Sequence, residues 1–173
     1  MPSESARVTT ATESRYRIDY PNSKPRAVKV IALDDESRAL VDQVAKLPWG
    51  RAVFFTSLTF NGTAAAPRAG ESASMEAWLR DIAGQTKNLI EEIDTADLVV
   101  MVSSAGSDSQ AALLIGEACA VRKVTTIGLI VQQPTTTDDE TSRTLKHLRP
   151  VATMLVIANG EEYIEGMLTA LRA

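Results

Sequence analysis

The 173-residue chain is 45% hydrophobic and 23% charged, an ordinary composition for a globular domain that buries a core. Its formal net charge of −4 at pH 7 argues against a nucleic-acid partner, for which a basic surface is expected. The chain has no membrane-length apolar run, no export signal pattern and a single cysteine, so we expect a soluble cytoplasmic protein with no membrane partner and no intramolecular disulfide.

Residues 1–25 are predicted to be a flexible arm that precedes the folded domain. The segment is polar and has no hydrophobic period. Within it, Tyr16–Tyr20 alternates apolar and polar residues, which is typical of a strand that joins a sheet edge or docks on a partner subunit. A homodimer is therefore among the assemblies that the sequence allows.

The chain from residue 26 onward is predicted to alternate strands and helices. Ala27–Leu33 and Ala52–Thr56 have the length and apolar content of strands. Between them, Arg38–Leu47 carries leucine and valine at helical spacing and is followed by proline and glycine, which end helices. This order is typical of a strand–helix–strand unit.

The next segment is predicted to be a long loop followed by one long helix. Leu58–Ser72 is rich in glycine, alanine and proline, so we expect a loop. Apolar residues from Met75 to Ile93 recur at helical spacing, which predicts a helix with an interruption near Gly84.

The second half of the chain continues the alternation. Leu98–Val102 contains no polar residue, so it is predicted to lie in the middle of the sheet with both faces covered. The elements that follow are a helix over about Ser109–Val121, a strand over Thr125–Val131, a helix that begins at the capping box Thr137–Glu140 and ends at Leu148, a strand over Ala152–Ala158 and a helix over Glu161–Leu171.

These elements predict a Rossmann-like three-layer α/β sandwich. Its sheet is expected to be mainly parallel, with five or six strands and helices on both faces, and to occupy residues 26–173 as a single domain.

The turn Ser103–Ser109 is the predicted ligand site, because ligands of open parallel sheets bind beyond the carboxyl ends of the strands. Its hydroxyls, the N–H groups of the following helix and a glycine that can adopt positive φ would hold a phosphate or carboxylate. The alternative is a purely structural turn in which Ser107 or Asp108 caps the helix. The predicted ligand-binding residues are Ser103, Ser104, Gly106, Ser107 and Ser109, together with Asp34 after the first strand.

Other reactive residue types give no catalytic or metal site. The acidic run Asp34–Glu36 has oxygen ligands for Mg²⁺, but the favoured interpretation is an N-cap followed by acids that complement the helix dipole. His147 is the only histidine, and Cys119 lies on an apolar helix face and is interpreted as a core residue. The sequence therefore assigns no catalytic residue and no cofactor, and whether the protein is an enzyme stays open.

Seven segments resemble the nucleotide-binding domain of the tubulin and bacterial cell-division GTPase family. They are Phe54–Ser57, Ala69–Gly70, Lys87–Glu92, Thr95–Met101, Ala111–Ala118, Thr126–Val131 and Met154–Asn159. The glycine-rich first loop and phosphate loop of that family are replaced in this chain by Asp34–Ser37 and Ala105–Gln110, and the family's second domain, which supplies catalytic carboxylates, does not follow. The resemblance thus implies a degenerate, truncated relative whose GTPase activity is lost.

Two further resemblances compete with this one. Val102–Ala112 is similar to sugar-phosphate isomerase-type (SIS) domains, which bind phosphosugars through serine and threonine hydroxyls. Val30–Glu36 resembles the start of a response-regulator receiver domain, but Ser103 follows the strand where a receiver has its phosphorylated aspartate. The resemblance to a receiver domain therefore implies an inactive pseudo-receiver.

Together these patterns predict a binding or regulatory protein for a small molecule, either a nucleotide or another phosphate-containing ligand. The alternatives are a phosphosugar-binding SIS-like protein or enzyme, and a dimeric scaffold whose site is vestigial. GTP and GDP are expected to bind weakly, because carboxylates stand where the GTPase family has glycines.

Overall fold

A computed structural model describes residues 25–57, 78–81, 84–160 and 162–173. Its strands are β1 (Val28–Ala32), β2 (Val53–Ser57), β3 (Trp78–Asp81), β4 (Thr86–Asn88), β5 (Leu98–Ser104), β6 (Thr125–Gln132) and β7 (Met154–Asn159). Its helices are α1 (Asp35–Val44), α2 (Leu89–Asp94), α3 (Ala111–Arg122), α4 (Asp138–Leu148) and α5 (Glu162–Ala170).

The strands form one sheet in the order β4-β3-β2-β1-β5-β6-β7. Neighbouring strands pair parallel from β2 through β1, β5 and β6 to β7, whereas β3 pairs antiparallel with both β2 and β4. Helices α1 and α5 pack on one face of the sheet, and α2, α3 and α4 pack on the other. The predicted Rossmann-like three-layer sandwich is confirmed, although the described residues form a sheet of seven strands rather than five or six.

Strand β5 is the centre of both cores, as its apolar run Leu98–Val102 predicts. It pairs with β1 on one side and β6 on the other, and all of its residues are buried. Val100 and Val102 face α1 and α5, while Val99 and Met101 face α2 and α3. A strand covered on both faces needs apolar residues at every position, which explains the lack of alternation.

The capping box predicted before α4 is confirmed. The backbone N–H of Thr137 donates to Glu140 Oε2 at 2.8 Å, and the Glu140 N–H points back to the Thr137 hydroxyl at 3.4 Å. The bonds that the Thr137 backbone and hydroxyl donate lower the pKa of the Glu140 carboxyl below its ordinary value. The helix therefore begins at Asp138 and ends at Leu148, where the sequence places its end.

The single long helix predicted between Met75 and Ile93 is wrong. The described residues of this segment form the hairpin of β3 and β4 and then the short helix α2. Local turn chemistry explains the difference: the Gln85 N–H donates to Asp81 Oδ1 at 2.8 Å, and Gly84 has φ +80°. The Asn88 side chain then accepts from the Ile90 N–H at 2.9 Å, so the helix begins only at Leu89.

Two predicted segments lie outside the described residues: the loop Leu58–Ser72 and, apart from Pro25, the amino-terminal arm. Within the described ranges, no helix has both the length and the apolar character needed to cross a membrane.

Helix α3 contributes Cys119, which is fully buried in the core beneath α2 and α3, as its apolar neighbours predict. Burial raises the pKa of its thiol from 9.0 to about 11, and the positive charge of Arg122 opposes this only in part. The thiol is therefore protonated at neutral pH and shielded from reagents.

The raised thiol pKa predicts a specific loss of stability at high pH. The folded chain holds the Cys119 proton up to about pH 11, whereas the unfolded chain releases it near pH 9, so stability falls between these values. The full loss approaches about 3 kcal/mol above pH 11, since each pKa unit corresponds to about 1.4 kcal/mol, and about 2 kcal/mol of it falls between pH 8 and pH 11. Urea unfolding from pH 8 to pH 11 measures it. The Cys119→Ala variant lacks the thiol but keeps the other titrating groups. Its loss of stability over this pH range is expected to be smaller than the wild-type loss by the amount that the thiol contributes. Parallel curves for the two proteins would show that the thiol does not titrate in this way.

Candidate functional site

The order of the strands reverses between β1 and β5, because β1 connects to β2 on one side and β5 to β6 on the other. Ligands of open α/β sheets bind at such a topological switch point, outside the carboxyl ends of the strands. Asp34 follows β1 here, and Ser103 and Ser104 end β5. The structure therefore brings the predicted site residues together at the expected place.

The Asp34 carboxylate is already fully engaged by the protein itself. Its Oδ1 accepts from the Ser37 N–H at 2.8 Å, which caps α1. Its Oδ2 accepts from the Ser103 hydroxyl at 3.0 Å and from the Ser104 N–H at 2.9 Å. One side chain thus joins β1, α1 and β5, and for Asp34 the interpretation as a helix cap is confirmed.

Two of the predicted serine hydroxyls, those of Ser103 and Ser109, likewise bond within the protein. Ser103 and Ser109 are fully buried, and their hydroxyl oxygens lie 2.7 Å apart. The Ser107 N–H donates to the Ser104 carbonyl at 3.2 Å, closing the turn. Ser104, which is itself 5% exposed, borders a small cavity, and Ser107 is half-buried.

Gly106 has the positive φ that the sequence predicts, at +89°. Its N–H donates to the Thr144 hydroxyl of α4 at 2.9 Å, so it is not directed at a vacant anion site. A Cβ on this residue would come within 3.1 Å of Glu140 Cγ. The glycine therefore serves the packing of the turn against α4.

The start of α3 differs in detail from the predicted cap. The N-cap position is Gln110, which makes no side-chain capping bond, so capping by Ser107 or Asp108 at that position is wrong. Asp108 instead accepts from the Gln110 N–H at 3.1 Å. A carboxylate thus already occupies the region where a bound anion would meet the helix N-terminus.

An open cavity of about 650 Å³ lies beside the switch point, at the carboxyl ends of β6 and β7. Its apolar surface comes from Leu40, Val131 and Pro134, and its polar surface includes Gln133, Thr136 and Asn159. The volume falls within the range of about 300 to 1,000 Å³ that is usual for small-molecule sites.

A smaller cavity of about 190 Å³ shares Gln133 and Thr136 with the larger one and adds the carboxylates Glu36 and Glu140. No lysine, arginine or histidine is among the described residues that line the two cavities. Together they offer an amide- and hydroxyl-rich surface with negative charge at one side.

The loop between β6 and α4 is held in one conformation by its own bonds. The Gln133 N–H donates to the Thr136 hydroxyl at 2.8 Å, and the Thr136 N–H donates to the Gln133 carbonyl at 2.9 Å. The Gln132 side chain donates to the Thr141 hydroxyl at 2.7 Å. The cavity wall is therefore pre-formed.

Sequence reasoning assigned none of Leu40, Thr136 and Asn159 as a ligand-binding residue. The available signal was the polar residues that follow the last two parallel strands, Gln132-Gln133 and Asn159-Gly160, since strand ends of a parallel sheet share one edge. The apolar wall from α1 carries no such signal, because its leucine continues an ordinary helical pattern.

The fold and this edge define a Rossmann-like α/β protein, and its parallel strands follow the flavodoxin-like order in which the first strand lies between the second and third. No family model matches the chain, and a search of curated proteins gives no match. The tubulin-like, SIS-like and receiver-like resemblances stay predictions. In the ranges that the structure describes, no group of three or more His, Cys, Asp or Glu side chains is placed to hold a metal ion.

Replacement of Asp34 tests whether its carboxylate stabilises the fold through the hydrogen bonds that it accepts within the protein. Asp34→Ala is expected to lower the free energy of unfolding by about 3 kcal/mol, because it removes a helix cap and leaves the buried donors of Ser103 and Ser104 without their acceptor. Asp34→Asn keeps one acceptor oxygen and should cost about half as much. The matched control Asp35→Ala, at an exposed position of the same turn, should cost less than about 1 kcal/mol. Equal effects of Asp34→Ala and Asp35→Ala in urea unfolding would contradict the assignment.

Proposed function

We propose that this protein is a small-molecule-binding or regulatory protein whose ligand occupies the larger cavity at the carboxyl ends of β6 and β7. The ligand is an uncharged polar molecule of about nucleoside size, since the cavity measures about 650 Å³. The observation that carries the proposal is a pre-formed cavity with apolar and amide walls beside a switch point whose own polar groups are already bonded.

The polar groups of the cavity suit a planar ligand with both donors and acceptors. Gln133 and Asn159 have exposed side chains, and each amide offers an acceptor oxygen and an N–H₂ donor. Leu40, Val131 and Pro134 supply apolar surface for the body of the ligand. A heteroaromatic base or a cyclic amide meets both requirements.

The charges around the cavity disfavour a phosphate group. Glu36 and Glu140 line the adjoining space, and Asp138 and Asp139 lie in the first turn of α4. A phosphate in this space would meet like charges on several sides, and like charges repel. We therefore propose the unphosphorylated compound as the ligand, and weak binding of GTP and GDP remains our expectation.

Matched pairs of nucleosides and their 5′-monophosphates provide the test. At 1 mM, at least one nucleoside is expected to raise the melting temperature by about 3 °C, the shift for a dissociation constant near 0.1 mM. The corresponding monophosphate should shift it less, because its phosphate meets the carboxylates. Thermal-shift assays on the full chain measure both.

A variant that fills the cavity with a bulky side chain tests whether the ligand binds there. Gln133→Trp places an indole in the cavity opening from an exposed position and should abolish the nucleoside shift without changing the melting temperature of the unliganded protein. Gln85→Trp makes the same exchange at the exposed turn between β3 and β4, at the edge of the sheet far from the cavity. This variant should leave the nucleoside shift intact. Larger shifts with monophosphates, or an unchanged shift in Gln133→Trp, would contradict the proposal.

A further inference from the structure

The last strand, β7, is an unusually open sheet edge. In the described part of the chain it pairs only with β6, so the N–H and C=O groups on its other side have no strand partner. Its sequence is Met154-Leu155-Val156-Ile157-Ala158-Asn159, without a charge or a proline. Met154 is nevertheless 55% exposed and Ile157 45% exposed. An exposed apolar edge strand of this kind is a template for pairing with another strand.

The opposite edge of the sheet differs in the features that prevent such pairing. Strand β4 has only three residues, and the middle one is Lys87. Short edge strands and lysine side chains are the usual means of blocking edge-to-edge association. The contrast singles out β7 as the edge that accepts a partner.

Helix α4 has a charge distribution that fits a second copy of itself. Its first turn holds Asp138, Asp139 and Glu140, whereas its last turn holds Lys146 and His147 and is followed by Arg149. If two copies of β7 pair antiparallel about a twofold axis normal to the sheet, the acidic start of each α4 faces the basic end of the other. Parallel pairing through the same edge would turn one sheet over, so that the two α4 helices would lie on opposite faces and could not meet.

The spacing of the two helices is compatible with contact between these charges. Helix α4 packs mainly on β6. Its axis would therefore lie about three strand spacings, or roughly 14 Å, from the axis of its copy. The backbone cylinders would be about 9 Å apart, a gap that an arginine and an aspartate side chain span together.

The other face of the sheet offers apolar complementarity in the same arrangement. Met154 alternates with Val156 and Ala158, which face α1 and α5, so it lies on that face at the amino end of β7. Helix α5 begins beside the carboxyl end of β7, where Tyr163 is 49% exposed, and ends near β1, where Arg26 N–H donates to the Arg172 carbonyl at 2.8 Å. In an antiparallel pair, the Tyr163 ring of each copy comes to the exposed Met154 of the other.

We propose that β7 is a homodimer interface in which two copies pair antiparallel and form one continuous sheet. Val156 and Ile157 flank the twofold axis, and Met154 of each copy lies near Asn159 of the other. Backbone hydrogen bonds and the apolar pairs supply affinity, and the two equivalent α4 charge contacts set the antiparallel direction.

The full chain at low salt tests this by analytical ultracentrifugation. The wild type is expected to sediment with twice the chain mass of 18.6 kDa. Ile157→Lys should weaken the dimer at least about tenfold, because it places a charge at the axis of the pair. Leu113→Lys is the matched control, since Leu113 is 41% exposed on α3, which is separated from β7 by α4. This variant should dimerise like the wild type.

Charge exchange gives a second test that does not depend on the apolar variant. Arg149→Glu and Asp139→Arg, both at exposed positions, should each weaken self-association several-fold, because each creates two like-charge contacts. An equimolar mixture of the two variants should dimerise nearly as well as the wild type, since both contacts are then between opposite charges.

Circular dichroism of each variant serves as the control that it is folded. A wild-type chain that is monomeric at 100 µM would overturn the proposal, and so would a dimer that Ile157→Lys leaves intact. A mixture that associates no better than the separate charge variants would also overturn it. None of these measurements involves the ligand, so their failure would leave the proposed function untouched.

Discussion

The Asp34 carboxylate is the interaction on which the carboxyl edge of this sheet depends. It accepts hydrogen bonds from Ser37, Ser103 and Ser104 and thereby fixes the start of α1 against the end of the central strand. In related α/β sheets this position is the crevice in which ligands bind. In this protein the same groups satisfy one another, and because buried polar groups need partners, the arrangement is stable without a ligand.

This constraint explains why the open cavity lies one strand further along the sheet. With the turn after β5 bonded to Asp34 and packed against Glu140 and Thr144, the remaining opening is between the ends of β6 and β7 and α1. The edge as a whole is acidic, because α1, α4 and α5 each begin with carboxylates that complement the helix dipole. In the function that we propose, the charges that stabilise the helices also disfavour anionic ligands.

Sequence patterns predicted the layers of this fold because they depend on burial and on capping. The apolar run of β5 and the capping box of α4 are local and strong, and both have the predicted role. The hairpin of β3 and β4 was missed because apolar spacing outweighed the turn signals of Asp81 and Gly84. Of the candidate site, sequence reasoning predicted that Asp34 and the serines of the turn after β5 lie together at one edge of the sheet, as the structure has them. It could not predict that Ser103 and Ser109 bond each other, since this depends on distances between elements.

Amide hydrogen exchange of Ser104 tests most directly whether the switch point is closed by Asp34. The N–H of Ser104 donates to Asp34 Oδ2, while that of Val100 lies in the middle of the same buried strand. We predict that both amides exchange only through global unfolding and therefore show the same free energy of opening. Exchange of Ser104 through a local opening, about 100-fold faster than that of Val100 or more, would contradict this prediction and show that the Asp34 contacts leave the switch point open.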